Sequence, residues 1–142
     1  MQIWKKNTDL VRLNTLSKET IIELLGIEYT NIGDDFLQAT MPVDKRTHQP
    51  HGLLHGGASV VLAETLGSVA ANLAVGEDKV CVGLEVNANH IRSIKKGTVT
   101  GKASAVHIGY STQIWQIEIC NERQQLVCTS RLTVAVIDKP KH

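Results

Sequence analysis

Glu64 sits inside an otherwise apolar run, after Val60-Val61-Leu62-Ala63 and shortly before Leu66. An unpaired carboxylate in such surroundings carries a large desolvation penalty, and glutamates are seldom buried without a purpose. Burial disfavours the charged form, which suits a general base. The structural alternative is an ionic partner: Arg92, Arg131 or a group on a neighbouring subunit. Ser68 follows four residues later, on the same helical face, where its hydroxyl can hold a water beside the carboxylate or bond back to the Glu64 carbonyl. Upstream, His55-Gly56-Gly57 brings lightly obstructed backbone to a helix start, where N–H groups lack partners and the helix dipole is positive. An oxyanion is stabilised at such a place. Gln49 and His55 add an amide and an imidazole N–H that can donate to a carbonyl oxygen or brace the loop presenting Gly56.

Spacing constrains how these groups work together. Glu64 lies eight residues beyond Gly56, about 12 Å along a helix axis, too far for both to act on one carbonyl from one helix. Two chains paired antiparallel about a two-fold axis bring the start of one helix beside Glu64 of the other and create two equivalent interface sites. At least an obligate dimer is expected.

Other chemistries lack support. His48, His51 and His55 form an H-x2-H-x3-H series, but a loop and a helix start do not force them onto one face, and no cysteine or carboxylate completes a zinc pattern. Neither a metal nor an organic cofactor is expected. Gly57-Ala58-Ser59-Val60-Val61 lacks the last glycine of a nucleophile elbow, and glycine-rich phosphate loops are absent.

The elements that must hold these residues can be read from periodicity. Apolar spacing predicts two short surface helices, from Thr8 to about Leu16 and from Lys18 to Leu25, with Gly26 stopping the second. Ile27–Ile32 and Phe36–Met41 flank the turn cluster Gly33-Asp34-Asp35 and predict a hairpin. Asp44–His55 is an irregular loop. From Gly57 to about Val75 no proline intervenes, and the run predicts a helix of roughly 28 Å. It is apolar on nearly every face and must therefore be enclosed. Val80–Ala88, Gly97–Val106, Thr112–Cys120 and Leu126–Ile137 predict four strands, connected as a hairpin-linked antiparallel sheet. The order is α+β, with an antiparallel sheet wrapped around one long central helix.

Composition agrees with one domain over residues 1–142. At 142 residues and 42% hydrophobic content, roughly 70% of the unfolded surface can be buried. A net charge of +1 and 4% aromatic residues argue against nucleic acid, which rewards basic excess and stacking surfaces. The amino-terminal MQIWKKNTDL has no apolar signal core, and Glu64, Thr65, Ser68 and Asn72 interrupt the longest apolar stretch, so neither export nor a membrane span is expected. Three cysteines without C-x-x-C spacing suit a reducing, cytoplasmic setting.

The segment HQPHGLLHGGASVVLAETLGSVA resembles the hot-dog-fold acyl-CoA thioesterases of the phenylacetate-degradation type, most closely the bacterial 1,4-dihydroxy-2-naphthoyl-CoA hydrolases. The resemblance runs over nearly the whole chain and includes IWKK, NIGDDFLQATMPVDKRT, VGLEVNANHIR, WQIEI and SRLTVAV. It implies a catalytic set in which Glu64 is nucleophile or general base, Gly56 supplies the oxyanion N–H, Gln49 and His55 assist at the thioester carbonyl, and Ser68 positions water or the intermediate. It further implies CoA contacts at Gly83, at His90, Ile91, Arg92 and Ser93, and at His107, Ile108, Gly109, Tyr110, Ser111 and Thr112, with Arg92 facing phosphate. The expected partners are an acyl-CoA substrate and further copies of the chain, as a dimer of dimers. His51 stands where relatives commonly carry Phe, so the acyl preference does not transfer with the rest. The expected reaction is hydrolysis of an aromatic acyl-CoA, with menaquinone synthesis as the favoured setting. The alternatives are a proofreading thioesterase acting on misacylated carrier protein in siderophore assembly, an enoyl-thioester hydratase on the same fold, and a non-catalytic acyl-CoA-binding module.

Overall fold

The computed structural model describes residues 1–141. Two short helices, α1 (Leu10–Leu16) and α2 (Ile21–Leu24), precede the hairpin of β1 (Glu28–Ile32) and β2 (Phe36–Val43). Their starts are capped by side chains typical of that position: Asp9 accepts from the Arg12 N–H and Thr20 from the Ile22 N–H. Gly26, at φ +74°, ends the second helical segment as its sequence position predicts. After the loop comes the long helix α3 (Gly56–Leu73), then β3 (Lys79–His90), β4 (Gly97–Ile108), β5 (Thr112–Cys120) and β6 (Leu126–Asp138).

All six strands join one antiparallel sheet in the order β1-β2-β4-β5-β6-β3. The predicted hairpin linkage holds for β4-β5-β6 but fails between β3 and β4. β3 lies at the edge beside β6, while β4 lies beside β2. Residues 91–96 carry the chain across the end of the sheet, so this turn signal marks a crossover rather than a hairpin.

The helix lies on the sheet through one stripe, with Leu62, Ala63, Leu66, Ala70 and Ala71 fully buried. Met41, Val99, Ala103, Trp115, Ile117, Leu132 and Val134 complete this core from the strands. Contact is close enough to demand glycine at Gly101, where a Cβ would stand 2.7 Å from Leu66 Cδ1. The amino-terminal residues anchor the far end of α3. The Lys5 N–H donates to the Leu73 carbonyl at 2.8 Å, and Trp4 stacks on Trp115 with centroids 6.2 Å apart. A long helix enclosed on one side by a curved antiparallel sheet is the hot-dog arrangement.

The opposite side of α3 departs from the expectation of enclosure. Val60, Val61, Thr65, Ser68 and Val69 are only half-buried, and Glu64 is exposed. Within the single chain the sheet covers one face, and α2 reaches only part of the other.

Candidate active site

The two halves of the expected site open into different clefts. Gly56 lines one of about 270 Å³ with Leu54, Ser59, His90, Ile91, Arg92, Ser93 and Val127. Glu64 lines another, of about 450 Å³, with Ile21, Ile22, Val61, Thr65, Ser68 and Val69. Their separation follows from the eight-residue spacing of Gly56 and Glu64 along the helix. Contrary to the burial expected from its apolar neighbours in sequence, Glu64 faces this cleft and is exposed in the single chain. Helical rotation turns Val61 and Ser68 outward with it while Leu62, Ala63 and Leu66 turn inward, which a linear reading of the run does not separate. Arg92 and Arg131 also turn elsewhere, to the Leu126 carbonyl at 2.9 Å and to Gln116 Oε1 at 3.3 Å.

Gly83 of β3 borders the carboxylate: a Cβ built there would lie 3.2 Å from Glu64 Oε2. His90, near the other end of β3, lies against Gly56, with Nε2 2.9 Å from the position of a Gly56 Cβ. Glycine at both points leaves room between helix and strand for groups that any side chain would displace.

The helix start is built as a donor site. His55 is the N-cap, and its Nδ1 accepts from the Gly57 N–H at 2.8 Å. A neutral ring accepting at Nδ1 carries its proton on Nε2, so the imidazole presents an outward N–H. The His55 N–H donates to the Thr47 carbonyl and the Leu54 N–H to the Ile94 carbonyl, each at 2.8 Å, tying the loop to the crossover segment. Half-buried Gln49 holds the loop from within: its N–H donates to the Leu53 carbonyl at 2.8 Å, and its side-chain oxygen accepts from the His51 N–H. The Gln49 amide N–H₂ thus remains to donate. His48 Nε2 pairs with the Lys95 carbonyl at 2.8 Å, and His51 is exposed on the loop, so the three histidines take separate directions.

Ser68 shares the Glu64 cleft. Its carbonyl accepts from Asn72 Nδ2 at 2.9 Å, and Asn72 Oδ1 accepts from the Cys81 N–H at 2.8 Å. This ties the outer face of the helix to β3. Cys81, Cys120 and Cys128 are free thiols.

The remaining predicted contacts are split between the two ends of the sheet. His90–Ser93 lies at the carboxyl end of β3. His107–Thr112 forms the β4–β5 turn, closed by the Gly109 N–H donating to the Thr112 carbonyl at 2.9 Å. Thr112 pairs with Ala135, and Ala135 with Val82, so the turn stands level with Val82, eight residues from His90. That is about 26 Å of strand.

Several lining residues carried no sequence signal of their own. Ser59 lies three residues after Gly56, a spacing that helical geometry could have flagged, whereas Thr65 directly follows Glu64, a spacing that by itself puts no two side chains on one helical face. Ile21 and Ile22 could not be linked to Glu64 without knowing where α2 packs.

A helix start flanked by loop donors, and a carboxylate farther along the same helix, are the kinds of group that acyl transfer from a thioester requires. The Thioesterase superfamily profile matches residues 51–128, and the chain belongs to that family; it is a thioester hydrolase. It is 54% identical over 136 residues to the 1,4-dihydroxy-2-naphthoyl-CoA hydrolase of Escherichia coli, covering 95% of this chain and 99% of that protein. It is 52% identical over 135 residues to the proofreading thioesterase EntH of Cronobacter turicensis, covering 95% and 98% respectively. The crystal structure of a Haemophilus influenzae thioesterase superposes with a TM-score of 0.97 at 48% identity, covering 99% of each chain. No helix among the described residues is long and apolar enough to cross a membrane.

Proposed function

We propose that the whole chain acts as one catalytic domain that hydrolyses aromatic acyl-CoA thioesters to the free acid and CoA, with 1,4-dihydroxy-2-naphthoyl-CoA of menaquinone synthesis as the leading substrate. The observation that carries this reading is the division of the site. A donor-rich helix start and a carboxylate open into separate clefts of one chain, alongside a long edge strand.

A second copy unites them. β3 is twelve residues long, has one free edge and exposes Val82 and Leu84, with Ile91 exposed just beyond its end; such an edge invites pairing with another strand. Two β3 strands paired antiparallel about a two-fold centre between Val86 and Asn87 set Gly83 opposite the partner subunit's His90. Glu64 then approaches the partner subunit's Gly56. The same register sets Val82 opposite the partner subunit's Ile91 and so brings the β4–β5 turn, two strands in from that edge, level with it, removing the offset of about 26 Å along the strands. One register therefore assembles the carboxylate, the oxyanion donor and both groups of CoA contacts. The functional unit is this dimer, with two dimers forming a tetramer.

In the assembled site the Gly56 N–H stabilises charge developing on the thioester oxygen, supported by donation from Gln49 and by the His55 Nε2–H. Glu64 delivers the attack, directly through an anhydride or by taking a proton from water; both routes need the same carboxylate. Ser68 orients the water, and CoA leaves as the thiol. Gly83, His90–Ser93 and His107–Thr112 form the CoA track, with the Arg92 guanidinium available to phosphate. Three free cysteines support a reducing, cytoplasmic location.

The likeness to a proofreading thioesterase at nearly the same identity supports a second reading, release of misacylated groups from a carrier protein. Thiol release from naphthoyl-, hydroxybenzoyl- and short aliphatic-CoA, and from hydroxybenzoyl-carrier protein, tests both. Fast aryl-CoA hydrolysis that falls about 10²–10⁴-fold in Glu64→Gln supports the proposal. Carrier-bound substrate far outpacing every CoA ester selects the second reading. Full activity in Glu64→Gln overturns both.

A further inference from the structure

Beside Glu64 the outer face of α3 carries an aliphatic cleft whose other wall comes from a different part of the chain. Val61, Thr65, Ser68 and Val69 form the helix side, and Ile21 and Ile22 of α2 stand opposite. Ile22 is half-buried and packs against the core, whereas Ile21 remains 55% exposed. At about 450 Å³ the cleft has the size of a small-molecule site, and its aliphatic lining is continuous with the carboxylate. Exposed aliphatic surface arranged around a reactive group has the character of a binding site rather than of chance exposure.

The wall is held in place. α2 begins with Thr20 Oγ1 accepting from the Ile22 N–H at 3.2 Å, and the Glu19 N–H donates to Glu23 Oε2 at 2.6 Å. Glu19 at φ 62° and Gly26 at φ 74° bracket the segment in left-handed conformations, so the chain is bent sharply on both sides of one short helical turn. The Ile27 N–H closes the exit by donating to the Ile22 carbonyl at 3.0 Å.

We infer that α2, through Ile21 and Ile22, is the outer wall of the acyl cleft and sets the width of acyl group that reaches Glu64. This rests on the proposed hydrolysis of aryl thioesters and adds its specificity determinant. A flat ring slides between Ile21 and Val61, with Thr65 available to a ring hydroxyl. Because Ile21 is exposed, it can be changed in either direction without opening the core. Ile21→Trp narrows the cleft and Ile21→Ala widens it. Leu24, 73% exposed on the same short helix but outside the cleft, is the control.

The experiment compares kcat/KM for 2-naphthoyl-CoA and benzoyl-CoA in the native protein, Ile21→Trp, Ile21→Ala and Leu24→Ala, with equilibrium binding of 2-naphthoate and benzoate measured calorimetrically on the same proteins. Ile21→Trp lowers the naphthoyl-to-benzoyl ratio about tenfold or more, the scale at which a hydrophobic pocket discriminates added carbon groups. Ile21→Ala raises it, and Leu24→Ala leaves it unchanged. A ratio that stays constant in both Ile21 variants overturns the wall. So does a change in sedimentation coefficient at constant ratio, which means that a second copy covers this face. If no thioester is hydrolysed, the proposed function fails on its own. Naphthoate affinity then decides the wall: weakened binding in Ile21→Trp sustains it, and unchanged or absent binding refutes it.

Discussion

Replacing Gly83 separates activity from stability in a way that tests the site geometry directly. An alanine Cβ at this position would stand 3.2 Å from Glu64 Oε2 and 4.0 Å from Leu132 Cδ1. Ordinary contact begins near 3.4 Å, so the carboxylate must yield about 0.2 Å while the core side chain need not move. Misplacing a reacting group by about 1 Å costs on the order of 10²-fold in rate, which scales to about two- to threefold for Gly83→Ala. Gly83→Val adds two methyl groups toward the same oxygen and should approach the full 10²-fold loss. Stability should move the other way, because alanine in a strand is about 0.5–1 kcal/mol better than glycine. Thiol release and thermal melting on Gly83→Ala, Gly83→Val and each of these in a Glu64→Gln background complete the test. If the loss acts through the carboxylate, the Gly83 substitutions have little further effect once Glu64 is neutralised, a coupling that a double-mutant cycle reads out. Native rates in Gly83→Val, or equal losses with and without the Glu64 carboxylate, would falsify the placement of Glu64 as the attacking group.

Val82→Lys with Leu84→Lys on the exposed edge of β3 places like charges across the proposed two-fold strand pairing; sedimentation should show monomers, and thiol release should collapse with the assembly. An active monomer refutes the shared site. His55→Ala removes the cap on α3 and should cost about 1 kcal/mol, a melting shift of roughly 3 °C, whereas His55→Asn restores the cap stability without restoring the imidazole contribution to kcat. An unchanged melting temperature in His55→Ala refutes the cap. Asp44 accepts four hydrogen bonds from Arg46, which hold its carboxyl down at about 2. Its contribution to folding is therefore fully present above the unfolded carboxylate value of about 3.9 and is lost as pH falls through about 2. A carboxyl resonance of Asp44 titrating near 4 would contradict the pairing.

Much of this architecture was legible because local rules act over a few residues. The turn cluster between β1 and β2, Gly26 ending the second helix, and the alternation in β5 each state their conformation in the chain itself. The partner of β3 was not legible. Strand pattern says which face is buried but not which neighbour is paired, and the crossover through residues 91–96 carries the same turn residues as a hairpin. The exposure of Glu64 was not legible for a related reason. An apolar run signals burial on average, while the rotation of a helix decides residue by residue which side chain meets the sheet.

The sequence by itself determined the residue types, the long helix and the eight-residue spacing of Gly56 and Glu64, since these follow from covalent order and helical rise. Only the tertiary structure decided that the two open into separate clefts, that Gly83 and His90 flank them on one strand, and that Ile21 and Ile22 stand across from the carboxylate. Those relations join residues from about seven to over forty positions apart, and they arise from how the sheet curves and what packs on the helix, which no local pattern encodes.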